Sequence, residues 1–203
     1  MKHKFIEAFV SIAVLGTVGL FVYQNHQRDF SRSPSYEGNN EVAIARPISE
    51  SKSLKCQLTK VADGDTITVQ CDGQKLKIRF CGIDAPEKSQ PLGAESTKLM
   101  SELVNKDNGN LLVYPIEKDR YGRTVAEVEI FSGKKTDRGD RINLFVNGEM
   151  VRAGLAYHYK QYSGNCPNKD VITYAEDDAK DKKLGVWSGN YEKPWDYRKH
   201  NKK

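Results

Sequence analysis

The 203-residue sequence predicts an α+β domain built around a small β-barrel and carried behind an N-terminal apolar segment. Three observations predict it. Short alternating apolar runs separated by Asp-Gly turns follow one another from residue 54 to residue 83. Two stretches with helical spacing lie between and after the strands. The first two dozen residues differ in composition from everything that follows. A hydrophobic fraction of 38% suits one modest core, and two full domains would be crowded in a chain of this length.

At the N-terminus, Lys2, His3 and Lys4 precede an apolar run over residues 5–23 that only Glu7 interrupts. Its length lies between a signal-peptide core and a membrane span. The one stretch of small residues, Thr17-Val18-Gly19, still has Leu20, Phe21, Val22 and Tyr23 after it, which favours an uncleaved anchor over a cleaved signal. Basic residues ahead of the run keep that end in the cytoplasm and direct the rest outward. The expected location is therefore the cell envelope, with residues 1–23 in the inner or plasma membrane. Secretion or a periplasmic location after cleavage is the alternative. Residues 24–53 turn to Ser, Asn, Arg, Glu and Pro and read as a disordered linker.

The folded unit is expected over 54–188. Residues 54–62 and 66–71 form a first hairpin with Asp63-Gly64-Asp65 as its turn. A second turn at Asp72-Gly73 leads to a strand over 74–83, where Leu76, Ile78 and Phe80 alternate with Lys75, Lys77 and Arg79. Period two sets Arg79 on the face away from the apolar stripe. Residues 92–104 read as a helix striped by Leu92, Leu99, Met100, Leu103 and Val104. Strands over 110–116 and 124–131 flank a charged turn, and the polar, glycine-containing residues 132–141 read as a loop. Asn147 is the expected cap of a short helix ending at Gly154. A last helix over 169–183 sets Val171, Ala175 and Ala179 at helical spacing and stops at Gly185. Residues 189–203 form a basic polar tail expected to be loose.

Four cysteines read differently outside the cytoplasm, where disulfides persist. Folding the first hairpin about Gly64 brings Cys56 and Cys71 almost opposite each other, the separation a disulfide needs. Cys81 and Cys166 remain, and their pairing is open. No Cys-x-x-Cys and no His/Cys cluster suggests zinc. The net charge of +5 is compatible with a polyanionic partner without specifying one.

The chemistry lies in the turns. Each of Asp63, Asp65 and Asp84 alone is an ordinary turn aspartate. Converging in space, two such carboxylates make a hard oxygen site suited to Ca²⁺, completed by a backbone carbonyl and water. Arg79 lies a few residues before Asp84, and Arg123 sits in Asp119-Arg120-Tyr121-Gly122-Arg123 at the mouth of the next hairpin. Phosphodiester hydrolysis builds negative charge on a pentacoordinate phosphate, which guanidinium groups and a divalent metal neutralise. Glu87 is placed to orient or deprotonate an attacking water.

Val61-Ala62-Asp63-Gly64-Asp65-Thr66, Ile78-Arg79-Phe80-Cys81-Gly82-Ile83-Asp84-Ala85-Pro86-Glu87 and Asp119-Arg120-Tyr121-Gly122-Arg123 resemble the three signature stretches of the thermonuclease (staphylococcal-nuclease-like) family, in the family's order. Val151-Arg152-Ala153-Gly154-Leu155-Ala156 and Leu184-Gly185-Val186-Trp187 extend the similarity, which covers roughly residues 54–187. The resemblance implies a five-stranded OB-fold barrel with three helices. It implies Ca²⁺ held by Asp65 and Asp84 with the carbonyl of Ala85, where the family usually has Thr, and with Asp63 nearby through water. Arg79 and Arg123 would clamp the scissile phosphate, and Glu87 would act as general base or water-orienting group. Arg120 and Tyr121 match contacts to a terminal phosphate. Tyr162 aligns with a nucleotide-side tyrosine if no gap intervenes, while Tyr157 and Tyr159 are equally well placed by composition.

The activity so implied is a Ca²⁺-dependent endonuclease acting on single-stranded DNA, duplex DNA or RNA. It cuts the 5′ P–O bond and leaves 3′-phosphate ends. The expected partners are that substrate and, through the anchor, the membrane; the chain is expected to act as a monomer. The alternative is a non-catalytic OB-type module that binds nucleic acid. Retention of Asp65, Asp84, Arg79, Glu87 and Arg123 favours the enzyme.

Overall fold

The computed structural model describes residues 53–201. The hydrophobic helix expected over 1–23 and all but the last residue of the linker expected over 24–53 lie outside the described residues. Among the described residues no helix is long and apolar enough to cross a membrane.

Among the described residues, eight strands and four α-helices follow in the order β1 (Leu54–Val61), β2 (Thr66–Cys71), β3 (Gln74–Phe80), β4 (Ile83–Asp84), α1 (Gly93–Val104), β5 (Asn110–Lys118), β6 (Thr124–Lys135), β7 (Arg141–Phe145), α2 (Val146–Arg152), β8 (Tyr157–His158), α3 (Lys169–Asp181) and α4 (Pro194–His200). Six strands form one sheet in the order β3-β2-β1-β5-β6-β7, and β3 also pairs in parallel with β6. The ladder β1-β2-β3-β6-β5 therefore returns to β1. Ile67, Val69, Ile78, Phe80, Val113 and Val128 fill its interior and have almost no exposed surface. Each large apolar side chain so buried contributes about 1.5–3 kcal/mol relative to exposure. Helix α1 adds Leu99, Met100, Leu103 and Val104 to the same core, and α2 adds Met150 and Val151.

Several elements differ from the sequence expectation, each for a physical reason. The strand expected over 74–83 ends at Phe80, because Gly82 adopts φ of +71° and turns the chain into β4. Strand β4 pairs with β8, Asp84 lying opposite Tyr157. Residues 132–141 are not a loop throughout. Strand β6 runs on to Lys135 and pairs with β7, with Lys135 opposite Arg141, so only the tip is a turn. This ribbon lacks apolar alternation because its outer part is exposed on both faces.

Asn147 does not cap α2. Phe145 holds the cap position, and Asn147 sits inside the helix with no exposed surface. Its amide accepts from Val128 N at 3.0 Å and donates to the Cys81 carbonyl at 3.0 Å, tying helix to sheet. On α3 the core-facing residues are Ile172, Ala175, Glu176 and Ala179, with Val171 only half-buried. The tail is not loose across its length, since residues 194–200 form α4.

Both cysteine pairs are bonded, Cys56 to Cys71 and Cys81 to Cys166. The first pair joins directly opposed positions of β1 and β2. The second ties the turn before β4 to the segment that precedes α3.

Candidate active site

The site begins at the β1–β2 turn. The backbone N–H of Asp65 donates to Asp63 Oδ1 at 3.1 Å, a local bond typical of turn aspartates. Gly64 is required for close approach: a Cβ there would run into the Ser96 hydroxyl and press on Ala85. That contact seats the turn against the start of α1 and the end of β4. The seat is completed by Asp65 Oδ2, which accepts from the backbone N–H of Ala85 at 2.8 Å.

Arg79, on the outward face of β3, bridges the two strand ends. Its Nη1 lies 2.7 Å from Asp65 Oδ1 and its Nη2 lies 2.8 Å from Asp84 Oδ1. Asp84 has no exposed surface. Burial raises its carboxyl pKa and the Asp65 charge adds to the rise, while Arg198 and Arg79 oppose it. Burial also pushes the Asp63 carboxyl up, to about 6, with the neighbouring Asp65 charge adding to it.

A second guanidinium completes the cluster. Arg198 on α4 contacts Asp84 Oδ2 at 2.7 Å through Nη2, and through Nη1 reaches Asp84 Oδ1 at 3.1 Å and Glu87 Oε1 at 2.8 Å. Glu87 is held from behind, its backbone N–H donating to Gln90 Oε1 at 2.9 Å. Asp65, Asp84, Arg79 and Glu87, singled out in two separate sequence stretches, are thus joined through Arg198 in one network of charged side chains, with the Ala85 backbone stitched to it.

Arg120, Tyr121 and Arg123 stand apart from that network, on the β5–β6 turn. Arg123 Nε binds Asp119 Oδ2 at 2.6 Å, and Asp119 Oδ1 accepts from the backbone N–H groups of Tyr121 and Arg123. Tyr121 is 68% exposed, with the Arg120 and Arg123 guanidinium carbons 4.9 and 5.4 Å from its ring centroid. The strand leaving this turn pairs with β3, Val125 opposite Arg79, so both arginines belong to one edge of the ladder.

Of the three tyrosines that were equally placed by composition, Tyr157 is buried and Tyr162 is exposed. Tyr162 packs on half-buried Tyr159, which stacks on Trp195 at 5.1 Å with an interplanar angle of 4°.

Sequence reasoning missed Arg198 and Trp195, although a helix signal was present. Pro194 stands at the first helical position, Asp196 in the first turn, and Arg198, Lys199 and His200 in the last.

Asp65 and Asp84 present hard carboxylate oxygens, close enough that the charge of one raises the pKa of the other. Their negative charge is balanced here by guanidinium groups, and that donor chemistry suits a hard divalent cation. Among the described residues no three acidic, His or Cys side chains converge as a metal cage. The remaining ligands would then come from backbone carbonyl and water.

Residues 77–189 match the family described as "Staphylococcal nuclease homologue". An uncharacterized endonuclease of Haemophilus influenzae is 40% identical over 136 residues, 66% of this chain and 67% of that protein. A micrococcal nuclease of Shigella flexneri is 31% identical over 147 residues, spanning 72% and 81% of the two chains. An uncharacterized endonuclease of Escherichia coli is 35% identical over 143 residues, spanning 70% and 83%.

Proposed function

The chain belongs to the family of staphylococcal nuclease homologues, and we propose that it is a Ca²⁺-dependent nuclease that hydrolyses phosphodiester bonds of DNA or RNA and leaves 3′-phosphate ends. The observation that carries the proposal is the joining of Asp65, Asp84, Arg79 and Glu87 in one network at the end of β3 and β4. The return of the ladder to β1 supports a five-stranded OB-type barrel beneath it.

Ca²⁺ would be held by Asp65 and Asp84 with the Ala85 carbonyl, and Asp63 would lie one water away. When bound, it supplies Lewis-acid polarisation of the phosphate and neutralises charge. Arg79 and Arg123 grip the non-bridging oxygens as negative charge develops on the pentacoordinate phosphorus. Glu87 orients the attacking water and takes its proton, the new P–O bond forms, and the 5′ P–O bond breaks with its electron pair on the 5′-oxygen, which takes a proton from solvent and leaves as a hydroxyl. Arg120 and Tyr121 bind a terminal phosphate, and Tyr162 lies beside a base. Calcium-dependent release of acid-soluble nucleotides by purified protein tests this reading. Full activity in excess chelator removes the metal assignment.

We also propose an envelope location: residues 1–23 an uncleaved membrane anchor, 24–53 a linker and 54–188 a monomeric catalytic domain facing outward. The two disulfides support an oxidising compartment. Membrane fractionation with Met1 retained is the expected result; a soluble protein with a mature N-terminus near Leu20 overturns it.

A further inference from the structure

Helix α4 begins beyond residue 189, where the family match stops, and it is held in two different ways. Its root is fixed by aromatic contacts. The Lys193 ammonium lies 4.2 Å from the Tyr157 ring centroid and 4.8 Å from that of Trp187, and Trp195 stacks on Tyr159. Its tip is held by polar contacts. The Tyr197 hydroxyl meets Ser89 Oγ at 2.8 Å, and Arg198 forks onto Asp84 while sharing Nη1 with Glu87. Pro194 is the one buried residue of the helix, and the Arg198 side chain is 38% exposed.

An ionised carboxylate offers about four lone-pair positions. At Asp84, Oδ1 receives both Arg79 and Arg198, and Oδ2 receives Arg198. A guanidinium on both oxygens leaves little room for a cation on the same group, and its charge repels one. Removing Arg198 alone would strip a buried carboxylate of a counter-charge, which is costly. Exchanging it for a divalent cation keeps a counter-charge on the carboxylate and adds one more positive charge to a cluster of three carboxylates and two guanidinium groups, so displacement by a cation is the favourable route.

We propose that Arg198 is a built-in competitor for the divalent cation, capping Asp84 and Glu87 in the resting protein and yielding when the cation binds. This rests on the reading of Asp84 as a cation ligand. Apparent affinity is lowered by the fraction of molecules in which the tip is engaged. Arg198 would therefore set the cation concentration at which Asp84 and Glu87 become available, while the aromatic root keeps the helix attached.

The test is calorimetric titration of CaCl₂ into full-length protein in mild detergent, comparing the parent with Arg198→Ala and Arg198→Gln. Both variants are expected to bind Ca²⁺ about ten-fold more tightly, and Ca²⁺ should raise their melting temperatures more than the parent's. The Gln variant keeps much of the side-chain stem should Ala loosen the helix. Equal or weaker Ca²⁺ binding in both variants, with the parent binding normally, overturns the competitor and leaves the calcium reading standing. No binding by parent or variants overturns both. A hundred-fold fall in kcat at saturating Ca²⁺ would make Arg198 a transition-state arginine and overturn the proposal as well.

Discussion

Asp84 and Glu127 are both carboxylates with no exposed surface, and burial raises the pKa of each, yet their surroundings differ in kind. Glu127 is clamped by neutral donors: Oε1 accepts from Asn168 N at 2.8 Å and Oε2 from Asn168 Nδ2 at 2.7 Å. Cys166, two residues before Asn168, is bonded to Cys81, and Asn147 binds the Cys81 carbonyl. These contacts strap the chain before α3 onto the sheet. Asp84 is held instead by two side-chain cations, Arg79 five residues before it and Arg198 from the far end of the chain, each at the end of a long, rotatable stem. Neutral partners with little freedom make a staple. Charged partners that another cation can replace make a site.

The widest separation between the two regions should come from breaking the strap. Replacing Cys81 and Cys166 by Ser opens a loop with a sequence separation of 85 residues. The chain-entropy account puts the loss of stability at about 4–5 kcal/mol. Denaturant unfolding measures it, and catalysis by molecules still folded should persist. A stability change under 1 kcal/mol would show that the remaining strap contacts suffice.

Asp84→Asn should do the opposite. It is expected to lower kcat by about 10³-fold, at the upper end for loss of one transition-state electrostatic group. Stability should stay within about 1 kcal/mol of the parent, because losing the buried charge also removes its desolvation cost. Large unfolding with intact kcat would move Asp84 to the structural side of the comparison.

Arg79→Lys and Arg123→Lys keep the charge and lose the planar two-point grip. Each should lower kcat by about 10²-fold with little change in thermal unfolding. A rise in KM alone would make them ordinary phosphate-binding residues. Glu127→Gln, by contrast, should cost about 1–3 kcal/mol, since one of its two acceptors becomes a donor facing the Asn168 amide. Its kcat should be unaffected, and equal losses of kcat and stability would join the two regions into one.

The smallest effect concerns the turn that carries Arg123. Burial works upward on the Asp119 carboxyl, but hydrogen bonds from the Arg123 side chain and from the Arg123 and Tyr121 backbone outweigh it and lower the pKa. A folded value below the ordinary 3.8 means that stability from Asp119 is present above that pH and lost as pH falls through the folded value. The pair is partly exposed, so its share is about 0–1 kcal/mol. In Arg123→Lys, an NMR titration of Asp119 should return towards the ordinary value; an unmoved titration would mean that the backbone bonds alone depress it.

What the sequence determined by itself was local. Alternation at Leu76, Ile78 and Phe80 placed Arg79 outward, hairpin arithmetic opposed Cys56 to Cys71, and the stripe of α1 was legible from its spacing. The residues of the carboxylate network lay in recognisable stretches because turns and strand ends impose local chemistry. What tertiary structure decided were the long-range meetings. They include Cys81 with Cys166, Glu127 with Asn168, the burial of Asn147, the β6–β7 ribbon and the seating of Arg198 on Asp84. None has a period or a spacing to announce it. Arg198 is 114 residues from Asp84, and nothing local distinguishes its guanidinium from a solvated one. Only the folded chain, with α4 rooted by Lys193 and Trp195, brings that charge to a carboxylate with no exposed surface.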